Sequence, residues 1–368
     1  MITITLEINH ICNLRCSYCY IVEKNNEQMT FETAKNSVEF AIEKIINMNH
    51  KKKIINIDFL GGEPLISIKI IYDIVTYCEQ RKMEEKIEFR YSLTSNGTIF
   101  DEEIYSFLVK YKFSLKISLD GNEYVNNINR KDIQGQGSYH LVEDNLYYLK
   151  RYEKNTGKIV QVSNVLTKNN YRFYNETVKF FVEKLGFRFI DTGFNSNEKW
   201  TEEEVSELND IFANTLKYYF ECAKTGKEFV WGILEDALNG INNIFRTYCC
   251  GAGIISFYIS FNGKYYLCPT MLKEGYCLGN VNERKEETVF MKYIKKYAKH
   301  SKVRSLKCQT CKIEPYCTEK GCIAMNIGES DSSLLVNSCY KSRLFYELIK
   351  KNYFEIYRVK RKSMYMMK

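Results

Sequence analysis

The chain has 368 residues, 45% of them hydrophobic, 14% aromatic and 27% charged, with only 3 Pro. That composition supports one or two buried cores and excludes collagen-like, mucin-like and largely disordered classes. The formal net charge is +8. No run of about 18 apolar residues occurs, and the start, Met1-Ile-Thr-Ile-Thr-Leu-Glu7, lacks the basic and apolar regions of a signal peptide, so a cytosolic protein is expected.

The first half alternates strand-like and helix-like stretches. A strand is predicted over residues 3–9, an amphipathic helix over 30–48, a strand over 54–60, a helix over 67–82 and a strand over 87–94. A helix over 101–110 with Asp101 as its cap follows, then a strand over 113–119, a helix over 138–154, a strand over 159–167, a helix over 171–184 and a strand over 187–192. Six βα repeats imply a parallel sheet with helices outside, either an open doubly wound sheet or an incomplete barrel. Both architectures place functional residues at the C-terminal ends of the strands. Beyond residue 196 the pattern changes to helices over 202–223 and near 234–246, and then cysteine becomes dense. Two strand-like runs, 254–260 and 264–268, flank Phe261-Asn262-Gly263, and Asn-Gly between such runs signals a hairpin. The stretch 341–357 reads as a helix, and Arg358-Val-Lys-Arg-Lys362 after it reads as a solvated basic end.

Fourteen cysteines in a reducing compartment point to metal rather than to disulfides. If about eleven were thiolates on three dicationic iron–sulfur cores, the net charge would fall to roughly +3, so charge alone is weak support for nucleic-acid binding. The sharpest feature is Cys12-Asn-Leu-Arg-Cys16-Ser-Tyr-Cys19. These positions also match i, i+4, i+7 of a helix and could form a buried stripe. Their place after the first strand favours a site instead: three thiolates can hold three irons of a cubane and leave the fourth open.

This motif, with Tyr18 before the last cysteine, resembles the signature of the radical S-adenosylmethionine superfamily. The resemblance implies that the amino and carboxylate groups of S-adenosylmethionine chelate the open iron of a [4Fe-4S] cluster held by Cys12, Cys16 and Cys19. Electron transfer then yields a 5′-deoxyadenosyl radical that abstracts a substrate hydrogen. The resemblance also implies co-substrate contacts at successive strand ends: Gly61-Gly62-Glu63-Pro64, whose carboxylate suits the methionine ammonium; Thr94-Ser95-Asn96-Gly97; and Ser118-Leu-Asp120-Gly121. Arg130 is implied as a partner of the methionine carboxylate, with an exposed loop arginine as the alternative. Leu166 is implied as an adenine contact, with a core leucine as the alternative.

The C-terminal cysteines resemble the SPASM extension of peptide-modifying radical enzymes, in which two auxiliary four-iron clusters have interleaved ligands. By position, one cluster would use Cys250, Cys268 and Cys322, with Cys249 or an open iron completing it, and the other Cys308, Cys311, Cys317 and Cys339. Cys317-Thr-Glu-Lys-Gly-Cys322 has one residue more than the family's usual spacing. On spacing alone, Cys308, Cys311, Cys317 and Cys322 could instead form a closed zinc site. Cys78 and Cys222 fall inside predicted helices and read as packed thiols, Cys277 has no obvious partner, and the four His are scattered.

The expected fold is therefore α/β: a partial (β/α)6 barrel over 1–195, a helical linker over 196–247, a small Cys-rich α+β domain over 248–345 and a helix end with basic tail over 346–368. The expected activity is oxidative modification of a precursor peptide or protein, with a thioether or other cross-link as product, and the implied electron source is a flavodoxin- or ferredoxin-type reductant. Sulfatase maturation is the alternative, demoted because Pro269 stands where that branch places a proposed catalytic Asp. An iron–sulfur electron carrier and a zinc-ribbon nucleic-acid binder are the readings from other classes.

Overall fold

The computed structural model describes residues 1–21, 23–48, 51–195, 197–242, 250–283, 288–300, 308, 310–317, 319, 322, 324 and 333–366. In chain order the elements are β1 (Ile2–Glu7), α1 (Phe31–Asn47), β2 (Ile54–Leu60), α2 (Ile68–Glu85), β3 (Glu88–Ser95), α3 (Glu102–Lys110) and β4 (Ser114–Ser118). Then come α4 (Glu123–Asn129), α5 (Tyr139–Glu143), α6 (Leu146–Thr156), β5 (Gln161–Leu166), α7 (Tyr174–Lys179), β6 (Phe189–Phe194), α8 (Glu202–Lys224), β7 (Val230–Trp231) and α9 (Gly232–Ile241). The chain continues through β8 (Ser256–Ile259), β9 (Lys264–Tyr266), β10 (Gly279–Asn280), α10 (Val289–His300) and α11 (Ser333–Met366).

Two compact units interleave along the chain. The first comprises Met1–Ser118, Asp132–Lys158 and Cys250–Lys302. Its strands lie in the order β10-β9-β8-β1-β2-β3-β4. Strands β8, β1, β2, β3 and β4 run parallel, and the β8–β9 pair is the antiparallel hairpin anticipated from Asn262-Gly263. Alternation drives this sheet: Ile2, Ile4, Leu6, Ile55, Ile57, Phe59 and Leu93 are buried against the helical layer. Helix α1 starts at Thr30, whose hydroxyl accepts from the Thr33 N–H, and buries Ala34, Val38, Ala41, Ile42 and Ile45. Asp101 caps α3 as expected.

The second unit comprises Leu119–Lys131, Ile159–Cys249 and Val303–Lys368. Strands β5, β6 and β7 are parallel neighbours in sequence order. Helices α7, α8, α9 and α11 surround a core that includes Tyr174, Phe212, Trp231 and Phe345. The Trp231 indole donates to the Tyr174 hydroxyl at 2.7 Å, which satisfies the one polar atom that a buried indole carries. From β1 to β4 in the first unit and from β5 to β7 in the second the parallel strands follow sequence order, and β8 joins in parallel on the other side of β1. The architecture is the mixed α/β, parallel-dominated arrangement of a partial barrel. Among the described residues no helix is long and apolar enough to cross a membrane.

The second face of the first unit's sheet is polar. Asp58 on β2 accepts from Ser92 at 2.7 Å and from Thr5 at 3.3 Å, and burial raises its carboxyl above the usual range. Ionising it in the folded state therefore costs stability as pH rises through that raised value. The variant Asp58→Asn is expected to be more stable than the parent at neutral pH and to lose that advantage in acid. A Tm series across pH checks this, and a parent that is the more stable at pH 7 would contradict it.

Candidate active site

The chain leaves β1 through Ile8, Asn9 and His10, and each is tied down before the first cysteine. Ile8 donates to the Leu60 carbonyl, Met29 donates to Ile8, and His10 donates to Glu27. Asn9, fully buried, donates through Nδ2 to the Glu63 carbonyl at 3.0 Å and to Ser67 Oγ at 2.7 Å. The Gly61-Gly62-Glu63 segment then lies directly on this stem. Gly62 N–H donates to the Asn9 carbonyl at 2.8 Å, and Glu63 N–H donates to Ile11 at 2.7 Å. A Cβ on Gly62 would meet the Ile11 carbonyl oxygen at 2.2 Å, so only glycine permits this approach.

Cys12, Cys16 and Cys19 are all partly exposed on the loop that follows. Cys12 Sγ accepts from the Leu14 N–H at 3.3 Å and from Asn96 Nδ2 at 3.8 Å, while Cys19 N–H donates to the Cys16 carbonyl at 3.2 Å. Burial raises the Cys12 thiol pKa, with Lys24 pulling it down. Lys24 also donates to the Leu14 carbonyl at 2.6 Å, and Arg15 to those of Cys12 and Leu14. Asn13 links to the end of β3, donating to Thr98 Oγ1 at 2.8 Å and accepting from Asn96 at 2.9 Å. Tyr18 lies within the loop, partly exposed.

Glu63 is fully buried, and its carboxylate turns onto its own chain. Oε1 accepts from Leu65 N–H at 3.1 Å and Ser95 Oγ at 2.9 Å, and Oε2 accepts from Asn96 N–H at 2.7 Å. Pro64 opens the short turn Pro64–Ser67. The Cys loop, the Gly-Gly-Glu turn and the Ser95-Asn96 end of β3 thus form one bonded unit, and Ser118 closes β4 in the same compact unit. Near it, Glu7, 1% exposed, accepts from the Tyr258 hydroxyl at 2.7 Å and stands 3.3 Å from His10 Nε2. That bond to Glu7 raises the His10 pKa against the effect of burial.

Asp120, Arg130 and Leu166 belong to the second unit. Asp120, 1% exposed, accepts from Val165 N–H at 3.1 Å, and its own N–H donates to Asn126 Oδ1 at 3.2 Å. Arg130 ends α4 and is only 4% exposed, which removes the exposed-loop alternative. Leu166, 1% exposed, is the last residue of β5 and accepts from Asn195 N–H. Sequence reasoning missed Asn9, whose signal was a lone amide between apolar Ile8 and the motif, and Asn13, which the motif contains.

Of the C-terminal cysteines, Cys249 lies outside the described residues, Cys250 is exposed, and Cys268 contacts Thr270 Oγ1 at 2.9 Å. Cys308, Cys311 and Cys317 sit on successive tight turns: Cys311 N–H donates to Cys308, Glu314 N–H to Cys311 and Cys317 N–H to Glu314. Cys322 N–H donates to the Glu319 carbonyl. Cys339 lies on α11, and burial, then the charges of Cys308 and Cys317, then that of Cys311, push its thiol up. Among the described residues no three His, Cys, Asp or Glu converge where one metal ion could sit. A zinc ion needs donors around one point, whereas the irons of a cubane occupy separate corners and their thiols stand further apart. Sets made of thiols alone have the donor chemistry of iron–sulfur clusters. Cys78 and Cys222 are buried in α2 and α8 as packed thiols, and the Cys277 thiol donates to the Gly279 carbonyl.

A parallel α/β scaffold with a three-thiol loop at the end of its first strand is that of an iron–sulfur enzyme. Residues 6–181 match the family model of the Radical SAM superfamily. The chain is 30% identical over 285 residues to an uncharacterised protein of Methanocaldococcus jannaschii, covering 76% of this chain and 88% of that one. It is 24% identical to a cysteine-type anaerobic sulfatase-maturating enzyme of Clostridium perfringens, over 91% of this chain and 92% of the relative. It is also 26% identical to the radical SAM cyclopropyl synthase TigE of Paramaledivibacter caminithermalis, over 86% and 66%. Among solved structures, native anSMEcpe with bound AdoMet superposes with a TM-score of 0.78 at 22% identity over 97% of this chain and 99% of that one. Streptococcus suis SuiB bound to precursor peptide SuiA gives 0.62 at 18% over 90% and 74%. These two share the fold.

The chain belongs to the radical SAM superfamily. It is a radical SAM enzyme of the maturase type, its Cys-rich C-terminus fits a SPASM extension, and its cofactors are the superfamily's [4Fe-4S] cluster and S-adenosylmethionine.

Proposed function

We propose that this enzyme oxidatively matures a ribosomally made precursor peptide, forming a thioether or another cross-link. The observation that carries this reading is the loop of Cys12, Cys16 and Cys19, braced on Gly62 and Glu63 at the end of β1. The three thiols would hold the cluster. Glu63 fixes the Ser95 hydroxyl and the Asn96 backbone, and Gly61 and Gly62 let this turn lie close against Asn9 and Ile11 beside the cysteine loop. Asn96, Ser118, Asp120, Arg130 and Leu166 would be contacts of the co-substrate. Together the cofactors supply one-electron chemistry able to break an unactivated C–H bond. The protein's share is positioning and exclusion of water. Cys250, Cys268 and Cys322 with Cys249 would hold one auxiliary cluster and Cys308, Cys311, Cys317 and Cys339 the other, supplying one-electron acceptors, with a flavodoxin- or ferredoxin-type protein as the reductant. Residues 248–345 act as the auxiliary-cluster segment, joined to the 1–195 core through 196–247.

SuiB, solved with its precursor peptide, supports a peptide substrate. Sulfatase maturation is the second reading, favoured by the coverage of the Clostridium perfringens relative. Against it, Pro269 follows Cys268 and opens the turn Pro269–Met271, and proline offers no group to take a proton. Co-expression with each small open reading frame beside the gene, followed by intact mass measurement, tests both. Loss of two hydrogens per bond, with linked fragments on sequencing, is the expected result. A formylglycine in a sulfatase peptide, with none of the small frames altered, would replace the first reading by the second.

A further inference from the structure

The surroundings of one cysteine group point to a tuning device, an inference that rests on the proposed ligand set Cys308, Cys311, Cys317 and Cys339. Helix α11 carries Cys339 and, one turn on, Ser342, so both lie on one helical face. Cys317 Sγ and Ser342 Oγ are 3.6 Å apart, within hydrogen-bond range for sulfur. As a free thiol Cys317 is the donor; as a cluster ligand it is a thiolate without a proton, and the hydroxyl must donate. Beside them Lys341 Nζ pairs with Glu319 Oε1 at 2.7 Å, the two side chains being 27% and 22% exposed. Glu319 lies two residues beyond Cys317, and the charge of Asp236 on α9 also acts on this ammonium. Asp236, Tyr316, Lys341, Ser342 and Tyr346 line a cleft at this place.

We propose that Ser342 and Lys341 raise the reduction potential of the cluster held by Cys308, Cys311, Cys317 and Cys339, Ser342 by donating to the Cys317 sulfur and Lys341 by its charge, which Glu319 partly offsets. The reason is electrostatic. Reduction adds negative charge to a cluster whose sulfurs already carry it, so a donor or a cation beside a sulfur favours the reduced form, and an anion opposes it. The device matters for an oxidative maturase because an electron leaving the substrate needs an acceptor of suitable potential.

The test is a redox titration of the anaerobically reconstituted full-length enzyme, followed by electron paramagnetic resonance. Ser342→Ala and Lys341→Gln should each lower one cluster's midpoint, by roughly a tenfold change in the reduction constant, or about 59 mV for one electron. Glu319→Gln should raise that same midpoint, and the other midpoints and the iron content should hold. Unmoved midpoints in all three variants, or loss of iron from Ser342→Ala, would overturn the proposal. Cys317→Ala separates the two levels of inference. Loss of about four irons supports the ligand set, so that unmoved midpoints then refute the tuning alone. Full iron retention refutes the ligand set, and the tuning with it.

Discussion

Replacing Cys12, Cys16 and Cys19 together by Ala is expected to abolish 5′-deoxyadenosine formation while leaving about eight of about twelve irons on the chain. The loop that carries them is partly exposed and anchored through the carbonyls of Asn9, Ile11 and Leu14, which accept from Gly62, Glu63 and Lys24, so losing the thiols should leave the fold intact. Iron analysis, circular dichroism and product quantification after anaerobic reconstitution check this together. A triple variant that still makes the nucleoside would displace the catalytic site from this loop. A parent that holds clusters but releases none of the nucleoside on reduction would instead indicate an electron carrier.

The second large effect is expected at Glu63. Its carboxylate satisfies Ser95 Oγ and the N–H groups of Leu65 and Asn96, all in a buried setting. Glu63→Ala leaves three donors without acceptors, each costing about 1–3 kcal/mol, so a destabilisation on the order of 3–5 kcal/mol is expected. In urea the midpoint should fall with little change of slope, since the surface exposed on unfolding is nearly the same. Glu63→Gln should fall between, because its carbonyl still accepts while its amide faces an N–H. A loss below about 1 kcal/mol for Glu63→Ala would mean that this carboxylate does not brace the site.

Much of the scaffold was legible because burial on one face writes a period into the chain. Strands β1 to β6 and helices α1 to α3 fall within a few residues of their expected positions, with β2 at the anticipated bounds. The departures have local causes. The helix expected over 138–154 breaks between α5 and α6 at Asn145, whose backbone N–H donates to the Val142 carbonyl at 3.0 Å and whose side-chain amide donates to the Gly97 carbonyl at 3.0 Å. The helix expected over 171–184 begins as a 3₁₀ turn and ends in the π turn Phe180–Lys184, a change of winding that apolar spacing does not reveal. Helix α4 was not anticipated because Asp120-Gly121-Asn122 reads as a turn. In fact Asn122 caps the helix, accepting from Val125 N–H.

The site was legible in its chemistry and not in its bracing. Three thiols at this spacing after a strand favour a cluster over a buried helical stripe, and Gly-Gly-Glu at the next strand end signals a close approach. That the Glu63 carboxylate would turn onto Ser95 and Asn96, or that Asn9 would span Glu63 and Ser67, depends on contacts between segments distant in sequence. Spacing within a single segment carries no record of them.

The interleaving of the two units bears on how the protein is made. The chain passes from one unit to the other at residues 118, 131, 158, 249 and 302, so a ribosome finishes neither before the last third emerges. The N-terminal strand waits longest: Thr3 gains its β8 neighbour Ser256 only after some 250 further residues are synthesised. Until then one edge of β1 offers open backbone groups to other nascent chains, and so distant a pairing closes slowly. Biosynthesis should therefore depend on slow translation or chaperone shielding.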